Sequence, residues 1–367
     1  MTIPDTSSEQ ITPRVRVLSG MRPTGRLHLG NYMGALYNWV QLQHRYECYF
    51  FIADWHALTT DYADTSRLDQ NIDEVLLDFL AAGLDPKLCT IFLQSAVPAH
   101  AVLHLLLSNI TPVTWLERVP TYKDQQEQLK EKDLATYGFL GYPLLQSADI
   151  LLYQPEFVPV GQDQAAHVEI TREIARRFNF LYGARRTAAV EAASSDKERM
   201  VAELSQAEPA EEILPEPKVL LTPSPKLPGV DGRKMSKSYG NTILLSDPEP
   251  EVRAKLKTMV TDPARIRRTD PGNPEVCPVF DLHKVFSSEE VQAQAAEGCR
   301  TAGIGCIQCK GWLADAVVKE LAPIQERRRY FEANPAEVAA ILADGNLRAG
   351  VRAEQTMREV RAAMRLR

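Results

Sequence analysis

The chain has 367 residues, of which 44% are hydrophobic and 25% charged, a composition typical of a globular protein with room for two domains. The polar start MTIPDTSSEQ has no signal-peptide core, and no apolar run has membrane-spanning length, so we expect a cytoplasmic protein without a membrane partner. A net charge of −6 excludes a uniformly basic nucleic-acid binder, so any nucleic acid would have to contact local basic patches.

The first predicted element is a strand over Arg14–Gly20, followed by RPTGRLHLGN at Arg22–Asn31 and then a helix. A Gly/Pro-rich turn between a strand and a helix is where doubly wound α/β proteins bind nucleotides, because backbone N–H groups converge there on phosphate. The dinucleotide and P-loop fingerprints are both absent. Taken alone, His28 in such a loop is more often incidental than functional.

Alternating strands and helices follow. Cys48–Asp54 is a continuous apolar run typical of a buried strand, Asp64–Leu80 has apolar residues at helical spacing, and Gly83 is a plausible C-cap. Thr90–Gln94 is a third strand. This order predicts a parallel sheet with right-handed crossovers, and so an α/β, Rossmann-type domain.

The middle of the chain continues the pattern. Ala99–Asn109 is an apolar helix, the polar stretch Trp115–Asp133 is a connecting element, and Tyr142–Tyr153 returns to the core. Phe157–Val160 is a short strand, and a helix follows from Gly161 through Phe178.

The last strand of the sheet is expected at Lys218–Leu221, after an Ala/Glu-rich insertion over residues 185–217 that carries no chemistry. A Pro/Gly-rich loop, Thr222–Asn241, follows and contains RKMSKS. From Pro248 the pattern is helical except at Asp262–Pro278. We therefore divide the chain into a catalytic domain, 1–246, and an all-helical domain, 247–367.

Lys234 and Lys237 lie in that loop, and two loop lysines are more often plain surface charge. Their position favours a function, because ligands of open α/β sheets bind at the carboxyl ends of the strands. Two ammonium groups there could stabilise the charge that develops as pyrophosphate leaves a nucleotide triphosphate.

RPTGRLHLGN, with KMSKS some two hundred residues later, resembles the motif pair of class I aminoacyl-tRNA synthetases. The usual His-Ile-Gly-His is altered here to Leu29 in second and Asn31 in fourth place. The segments DWHALT, YPLLQSADILLY and VPVGQDQAAHVEITREIARRFN look like the tryptophanyl branch. The resemblance covers nearly the whole chain except the insertion.

The resemblance implies that the protein activates L-tryptophan with ATP and Mg²⁺ and transfers it to tRNA(Trp), with the helical domain reading the anticodon. The implied catalytic residues are His28, Asn31, Lys234 and Lys237. The implied ATP-binding residues are these four together with Arg22, Pro23, Thr24, Gly30, Gly161, Gln162, Asp163, Leu220, Met235, Ser236 and Ser238. Gln162 replaces a glutamate of the family, which puts a carboxylate contact to adenosine in doubt.

The implied tryptophan-binding residues are Asp149, Gln146, His56 and Gln164. From the sequence alone, Asp149 is better explained as a helix N-cap or a core-edge carboxylate. In the family, the matching aspartate accepts the indole N–H. Gln146 stands where many tryptophanyl enzymes have Met, and Gln-x-x-Asp is similar to the tyrosyl branch, so a tyrosyl-type enzyme is the alternative.

Four of the six cysteines, Cys277, Cys299, Cys306 and Cys309, form C-x21-C-x6-C-x2-C in the helical domain, which suits zinc or a [4Fe–4S] cluster. Composition does not choose between the two metals. A subset of tryptophanyl-tRNA synthetases has a [4Fe–4S] cluster at nearly this spacing, which favours the cluster. Cys48 and Cys89 are interpreted as small core residues.

Three groups of arginines are candidate RNA contacts: Arg265, Arg267 and Arg268; Arg327–Arg329; and the arginines of the last twenty residues. The tail could equally be a solvated helix face. The resemblance also implies a symmetric homodimer, with residues 99–135 as a candidate interface. The rival interpretations are a nucleotidylyltransferase, which would not need Asp149, and a synthetase-like RNA-binding protein without catalysis, which would be expected to lack Lys237.

Overall fold

The computed structural model describes residues 15–119, 134–161, 165–183, 212–221 and 225–367. Five parallel strands form one sheet in the order β3-β2-β1-β4-β5: β1 (Arg16–Met21), β2 (Glu47–Ile52), β3 (Cys89–Leu93), β4 (Phe157–Val160) and β5 (Lys218–Leu221). Every predicted strand is present within two residues of its expected bounds. The α/β fold class with a parallel, Rossmann-type sheet is therefore confirmed.

Helices flank the sheet, and further helices follow its last strand. Those before the last strand are α1 (Leu29–Asn31), α2 (Tyr37–Leu42), α3 (Asp54–Asp61), α4 (Leu68–Ala82), α5 (Ala99–Ser108), α6 (Val113–Glu117), α7 (Tyr137–Leu140), α8 (Tyr142–Tyr153) and α9 (Ala165–Tyr182). Those after it are α10 (Glu249–Thr258), α11 (Pro278–Phe286), α12 (Glu289–Arg300), α13 (Cys306–Ala333) and α14 (Pro335–Ala363). The C-terminal region is thus helical, as predicted.

A π-helical turn, Tyr32–Leu36, joins α1 to α2. Such turns insert one extra residue into a helix and are frequent at functional sites. This turn carries Gly34 and Ala35, which line a cavity described below. The predicted glycine stop of α4 is also present: Gly83 has φ +113°, and its N–H bonds to the last turn of the helix.

The core lies on both faces of the sheet. One apolar cluster joins β1, β2 and β3 to α4 and continues without interruption into α13. In it Trp39 stacks on Phe50 at 4.7 Å between ring centroids. The second cluster packs α5, α8, α9 and α14 on the opposite face, around Phe92 and Tyr153. The helical region is therefore built onto the sheet on both sides.

The last helix, α14, covers the open edge of β3. The Asn346 side chain accepts the backbone N–H of Leu93 at 2.9 Å, and Arg348 donates to the carbonyls of Pro86 and Cys89. A Cβ on Gly345 would lie 1.7 Å from the carbonyl oxygen of Ile91, so only glycine allows this approach. Strand-edge N–H and C=O groups that would otherwise be open are satisfied in this way.

Some sequence predictions lie outside the described residues: most of the connecting element Trp115–Asp133, and the insertion 185–217 up to residue 211. The division of the chain near residue 246 stays a prediction. Among the described residues, no helix has both the length and the apolar character needed to cross a membrane.

Candidate active site

The first motif starts a helix with a histidine cap. His28 is the N-cap of α1: its Nδ1 accepts the backbone N–H of Asn31 at 3.3 Å, and its own N–H donates to Asn31 Oδ1 at 3.2 Å. A Cβ on Gly30 would come within 2.9 Å of the His28 ring, so the glycine leaves room for the imidazole. The His-x-Gly-Asn sequence is therefore one reciprocal capping unit.

The second motif is held against the first by backbone hydrogen bonds. The N–H of Leu29 donates to Ile243 O at 3.0 Å, and the N–H of Leu245 donates to Leu27 O at 2.9 Å. His28 and Leu244 form an antiparallel bridge. Residues more than two hundred positions apart thus share a short two-stranded ladder beside the sheet.

A buried methionine and a buried asparagine hold the backbone of the KMSKS loop in place. Met235 packs in the core with Leu27 and Leu29. Asn241 accepts the Ser236 N–H at 2.8 Å and donates to Lys234 O at 3.2 Å. These contacts fix the loop backbone and leave its lysines at the surface of the site.

Lys237 reaches across to the first motif. Its Nζ donates to the carbonyl oxygens of Thr24 and Gly25 at 2.9 and 2.7 Å, and to Thr24 Oγ1 at 3.2 Å. Lys234 is exposed and makes no such contact among the described residues. The two predicted lysines therefore differ. Lys237 bonds the KMSKS loop to the first motif, whereas the side chain of Lys234 is exposed to solvent.

The charges at this site act on the histidine. Burial, and then the positive charges of Lys237 and Lys234, together lower the pKa of His28 to about 4. Burial also lowers the pKa of Lys237 to about 8, while Asp78 acts in the opposite direction. At neutral pH His28 is uncharged, and Lys237 keeps most of its charge.

A cavity of about 680 Å³ lies between the two motifs. Among the predicted ATP-binding and catalytic residues, it is lined by Arg22, Pro23, Thr24, His28, Asn31, Ser236, Lys237 and Ser238. Its opposite wall is the start of α4 and the polar segment before it. Such a site can take a polyanion, because an ammonium, a guanidinium and hydroxyl groups face one space.

A second cavity, of about 360 Å³, lies at the carboxyl ends of β1 and β4, against α8. Its walls include aromatic and aliphatic side chains from four elements: Trp39, Phe51, Tyr142, Ile150, Val158 and Val160. Its polar residues include the predicted Asp149, Gln146 and His56, and the predicted Gly161 also lines it. A flat aromatic ligand with one polar edge suits such a cavity.

Asp149 lies inside α8, so the N-cap explanation of this residue is wrong. Its carboxylate is buried and accepts from His100 Nδ1 at 2.6 Å, Gln94 Nε2 at 2.9 Å and His56 Nε2 at 2.8 Å. Burial raises the pKa of this carboxyl, but His100 and the hydrogen bonds outweigh it and bring the pKa to about 2. Asp149 is an ionised acceptor held in one orientation.

His100 and Gln94 are site residues that the sequence analysis missed. His100 is fully buried, and its Nε2 bonds to the hydroxyl of Tyr153 at 2.9 Å, so it bridges Asp149 to the core. A histidine in the apolar helix AHAVLHLLLS is the signal that could have been noted. Its partner, however, is known only once the fold brings α5 against α8.

On another wall of this cavity, Gln146 Oε1 lies 2.6 Å from Nδ1 of the buried His167. Among the described residues, Arg22 alone lines both cavities, and its guanidinium donates to Thr60 Oγ1 at 3.3 Å. The two cavities therefore meet at Arg22. Any reaction between their ligands would take place beside its charge.

Some predicted residues are placed elsewhere. Gln162, Asp163 and Gln164 lie outside the described residues. Leu220 is in β5, paired with Pro159 of β4, which lines the smaller cavity. The structure leaves the roles of these residues untested.

The four cysteines of the helical region come together from three helices. Cys277 caps α11, Cys299 is near the end of α12, and Cys306 and Cys309 start α13. Burial and the other three cysteines raise the pKa of Cys309 to about 12. Within the described part of the chain, no group of three or more His, Cys, Asp or Glu side chains has the arrangement of a metal site.

Each of the three arginine groups has a member that bonds within the protein. Arg328 is buried and paired with Asp78 and Glu74 of α4. Arg265 donates to the carbonyl of Ile304, while Arg267 and Arg268 are exposed. In the tail, Arg348 is used against the sheet, as described above.

The family of class I tRNA synthetases for tryptophan and tyrosine (tRNA synthetases class I, W and Y) matches residues 10–322. A tryptophan–tRNA ligase of Ralstonia nicotianae is 51% identical over 96% of this chain and 98% of its own. One of Thermotoga maritima is 50% identical over 96% and 99%. A tryptophanyl-tRNA synthetase of Campylobacter jejuni, solved with ADP and tryptophan, has a TM-score of 0.79 at 32% identity, over 96% of this chain and 100% of that one.

Proposed function

This chain belongs to the class I tRNA synthetases for tryptophan and tyrosine, and we propose that it joins L-tryptophan to tRNA(Trp) at the expense of ATP. The observation that carries the proposal is the pair of cavities that meet at Arg22, one holding Asp149 and the other His28 and Lys237. The relatives described above are tryptophan–tRNA ligases, which favours tryptophan over the tyrosine alternative.

The first step needs no general base. The carboxylate of tryptophan is ionised at neutral pH and attacks the α-phosphate of ATP, taken up with Mg²⁺, in line, so that pyrophosphate leaves. With a pKa of about 4, His28 is uncharged and suits a hydrogen bond to the phosphates. Lys237 would exchange its carbonyl contacts for phosphate oxygens, and Lys234 would approach from solvent. Catalysis is then positioning and charge stabilisation.

Tryptophan recognition is assigned to Asp149. The indole N–H is only a donor, so it needs an acceptor, and the Asp149 carboxylate lines this cavity. His100 and Gln94 bond to its Oδ1, and His56 and Gln94 bond to its Oδ2, so the indole N–H would take the place of one of these donors. Phenylalanine has no ring donor to offer this buried carboxylate and should be rejected. His56 orients the carboxylate, and Gln146 and Gln164 would contact the rest of the amino acid.

The test is tryptophan-dependent exchange of pyrophosphate into ATP, run against a panel of the twenty amino acids. We expect exchange with tryptophan and little with phenylalanine or tyrosine. Exchange with tyrosine and none with tryptophan would establish the tyrosyl alternative. Binding of tRNA without any exchange would establish the non-catalytic one.

We further propose that Cys277, Cys299, Cys306 and Cys309 hold a [4Fe–4S] cluster. Four cysteines at or next to the ends of three helices supply the number and kind of ligands that such a cluster requires. Burial, and then the other three cysteines, raise the pKa of Cys309, so its thiolate would need a positively charged metal centre beside it. A Cβ on Gly272 would lie 2.7 Å from Cys299 Sγ, so the glycine keeps that sulfur accessible. The role proposed for the cluster is structural.

Protein purified without oxygen should show the visible absorption of an iron–sulfur cluster and contain about four iron atoms per chain. Cys306→Ser should lose the iron, whereas Cys89→Ser, in the core of the sheet, should keep it. Zinc in place of iron at the same four residues would establish the zinc alternative.

The helical region, residues 247–367, is proposed as the anticodon-binding domain. Arg267 and Arg268 are exposed, and Arg268 lies beside Gly305 just before the first cysteine of α13. Arg267→Gln together with Arg268→Gln should weaken tRNA binding and leave pyrophosphate exchange unchanged. Cytoplasmic location is inferred from this role in translation.

A homodimer is proposed through residues 99–135. Three apolar side chains in this region are exposed: Val102, Leu105 and Val113. Exposed apolar surface is favourable to cover with another surface. Leu105→Glu should shift the sedimentation coefficient from dimer to monomer, whereas a monomeric unmutated chain would refute the proposal.

A further inference from the structure

Helix α13 of the C-terminal region contacts the first motif through a buried carboxylate. The Asp78 side chain of α4 is fully buried, and its Oδ2 accepts the backbone N–H of Leu27 at 2.6 Å. Its Oδ1 is paired with Arg328 of α13, a side chain that is itself 4% exposed. Leu27 immediately precedes His28. Thus two charged side chains link the histidine cap to the C-terminal region.

All three nitrogens of the guanidinium and both oxygens of the carboxylate have partners. Arg328 also pairs with Glu74 and, at 2.8 Å, with Glu332, while Glu74 accepts from Arg26 at 3.0 Å. Arg26 and Leu27 are consecutive residues of the motif, so both sit on this one network. A buried ion pair with additional hydrogen bonds fixes geometry, even where it adds little net stability.

The carbonyl of Leu27 is also linked to α13. It accepts from the N–H of Leu245, and Gln325 of α13 donates through Nε2 to Leu245 O at 3.3 Å and to Asp247 O at 2.7 Å. Glu320, earlier in α13, accepts the hydroxyl of Tyr32 at 2.8 Å. Helix α13 therefore contacts residues that follow each of the two motifs in the chain.

We propose that Asp78 and Arg328 are positioning residues for adenylate formation: Asp78 holds the Leu27 N–H, and Arg328 holds Asp78, so that the placement of His28 depends on helix α13. The inference rests on the proposed reaction, because it assigns these residues to its first step. The competing explanation is that the pair only fastens α13 to α4.

The variants are Arg328→Gln, Arg328→Lys, Asp78→Asn and the double variant Asp78→Asn/Arg328→Gln. The matched control is Arg327→Gln, since Arg327 also joins α13 to α4, through the Ala81 carbonyl at 2.6 Å, but does not contact Asp78. Each variant is measured by tryptophan-dependent pyrophosphate exchange, by equilibrium binding of tryptophan and of ATP separately, and by thermal unfolding.

Arg328→Gln should lower kcat for exchange by about 10- to 100-fold, because small displacements of positioned groups have effects of that size. Tryptophan affinity should stay within about twofold, since that cavity is not part of the network. Arg328→Lys should recover part of the rate, and the double variant should be no slower than the slower single variant. Arg327→Gln should exchange at the unmutated rate.

A purely structural pair would give a different pattern. Exchange and tryptophan binding would then fall together in proportion to the loss of thermal stability, Arg327→Gln would behave like Arg328→Gln, and the two single effects would add. That result overturns the inference. If Arg328→Gln does not fold, Arg328→Lys and Asp78→Asn decide by the same readouts.

Failure of the proposed function can be distinguished from failure of this inference. Unmutated protein without tryptophan-dependent exchange would refute the function, and the ATP-binding measurement would then decide the inference alone. Weaker ATP binding in Arg328→Gln and unchanged binding in Arg327→Gln would support it, and equal binding in both would overturn it.

Discussion

The two cavities are built in opposite ways. In the smaller one, the polar groups around Asp149 bond side chain to side chain across α3, α5 and α8, and most are buried. In the larger one, backbone bonds join two distant loops, and a half-buried lysine spans them. The first arrangement fixes one geometry for one ligand, whereas the second can open by giving up a few hydrogen bonds.

The largest effect should come from removing the lysine that spans the loops. Lys237→Met should lower pyrophosphate exchange by about 10²- to 10³-fold, as loss of one group that stabilises developing charge does. Tryptophan affinity should not change. Lys226→Met, at an exposed lysine earlier in the same loop, is the control. A parallel fall in tryptophan affinity would mean that the cavities are not independent.

The matching change in the smaller cavity is Asp149→Asn. Tryptophan affinity should fall by about 10- to 100-fold, because a charged hydrogen bond contributes roughly 1.5–3 kcal/mol, and rejection of phenylalanine should weaken. ATP affinity should stay the same. Ser147→Ala is the control, since its hydroxyl bonds to Pro143 and Thr171 within the core. Competition binding with both amino acids measures the outcome.

The pH dependence should also separate the cavities. The pKa of Lys237 is about 8 without ATP, so ATP affinity should fall by up to about tenfold between about pH 7 and pH 9, as the ammonium loses its proton. Bound phosphates favour the charged form, so ATP binding near pH 8 should take up protons. Calorimetry in two buffers measures this, and Lys237→Met should abolish it. Asp149, with a pKa of about 2, stays ionised throughout this range.

The smallest effect is expected for Gln146→Met. Gln146 is partly exposed and has one side-chain hydrogen bond to His167, so we expect its loss to change affinity by only about threefold. Equilibrium binding of tryptophan and tyrosine measures it. A switch of preference from tryptophan to tyrosine would show that Gln146 selects the substrate, a role that we assign to Asp149.

The sequence predicted the elements better than the contacts between them. Apolar periodicity located all five strands, and Gly83 marked the end of α4, because these signals are local. The motif pair located the larger cavity. For Asp149 the sequence alone indicated a helix N-cap or a core-edge carboxylate. Its buried role could not be predicted because its partners His100 and Gln94 lie on other elements.

Arg328 shows the same limit of sequence-based prediction for a charged residue. As one of three consecutive arginines it is predicted to be a candidate RNA contact, and the three differ only in the direction they face on α13. Arg328 faces Asp78, and Arg327 faces the end of α4. Such a distinction depends on which helix packs opposite, which a single sequence does not specify.

The ladder between Leu27–Leu29 and Ile243–Leu245 has a consequence for biosynthesis. A ribosome makes the first of these segments early and the second more than two hundred residues later. Closing so long a loop is entropically costly. The ladder should therefore form only after the sheet has folded, since most of its strands lie between the two segments in the sequence. ATP would then bind the finished fold but not the nascent chain, and by mass action it would stabilise the complete molecule alone.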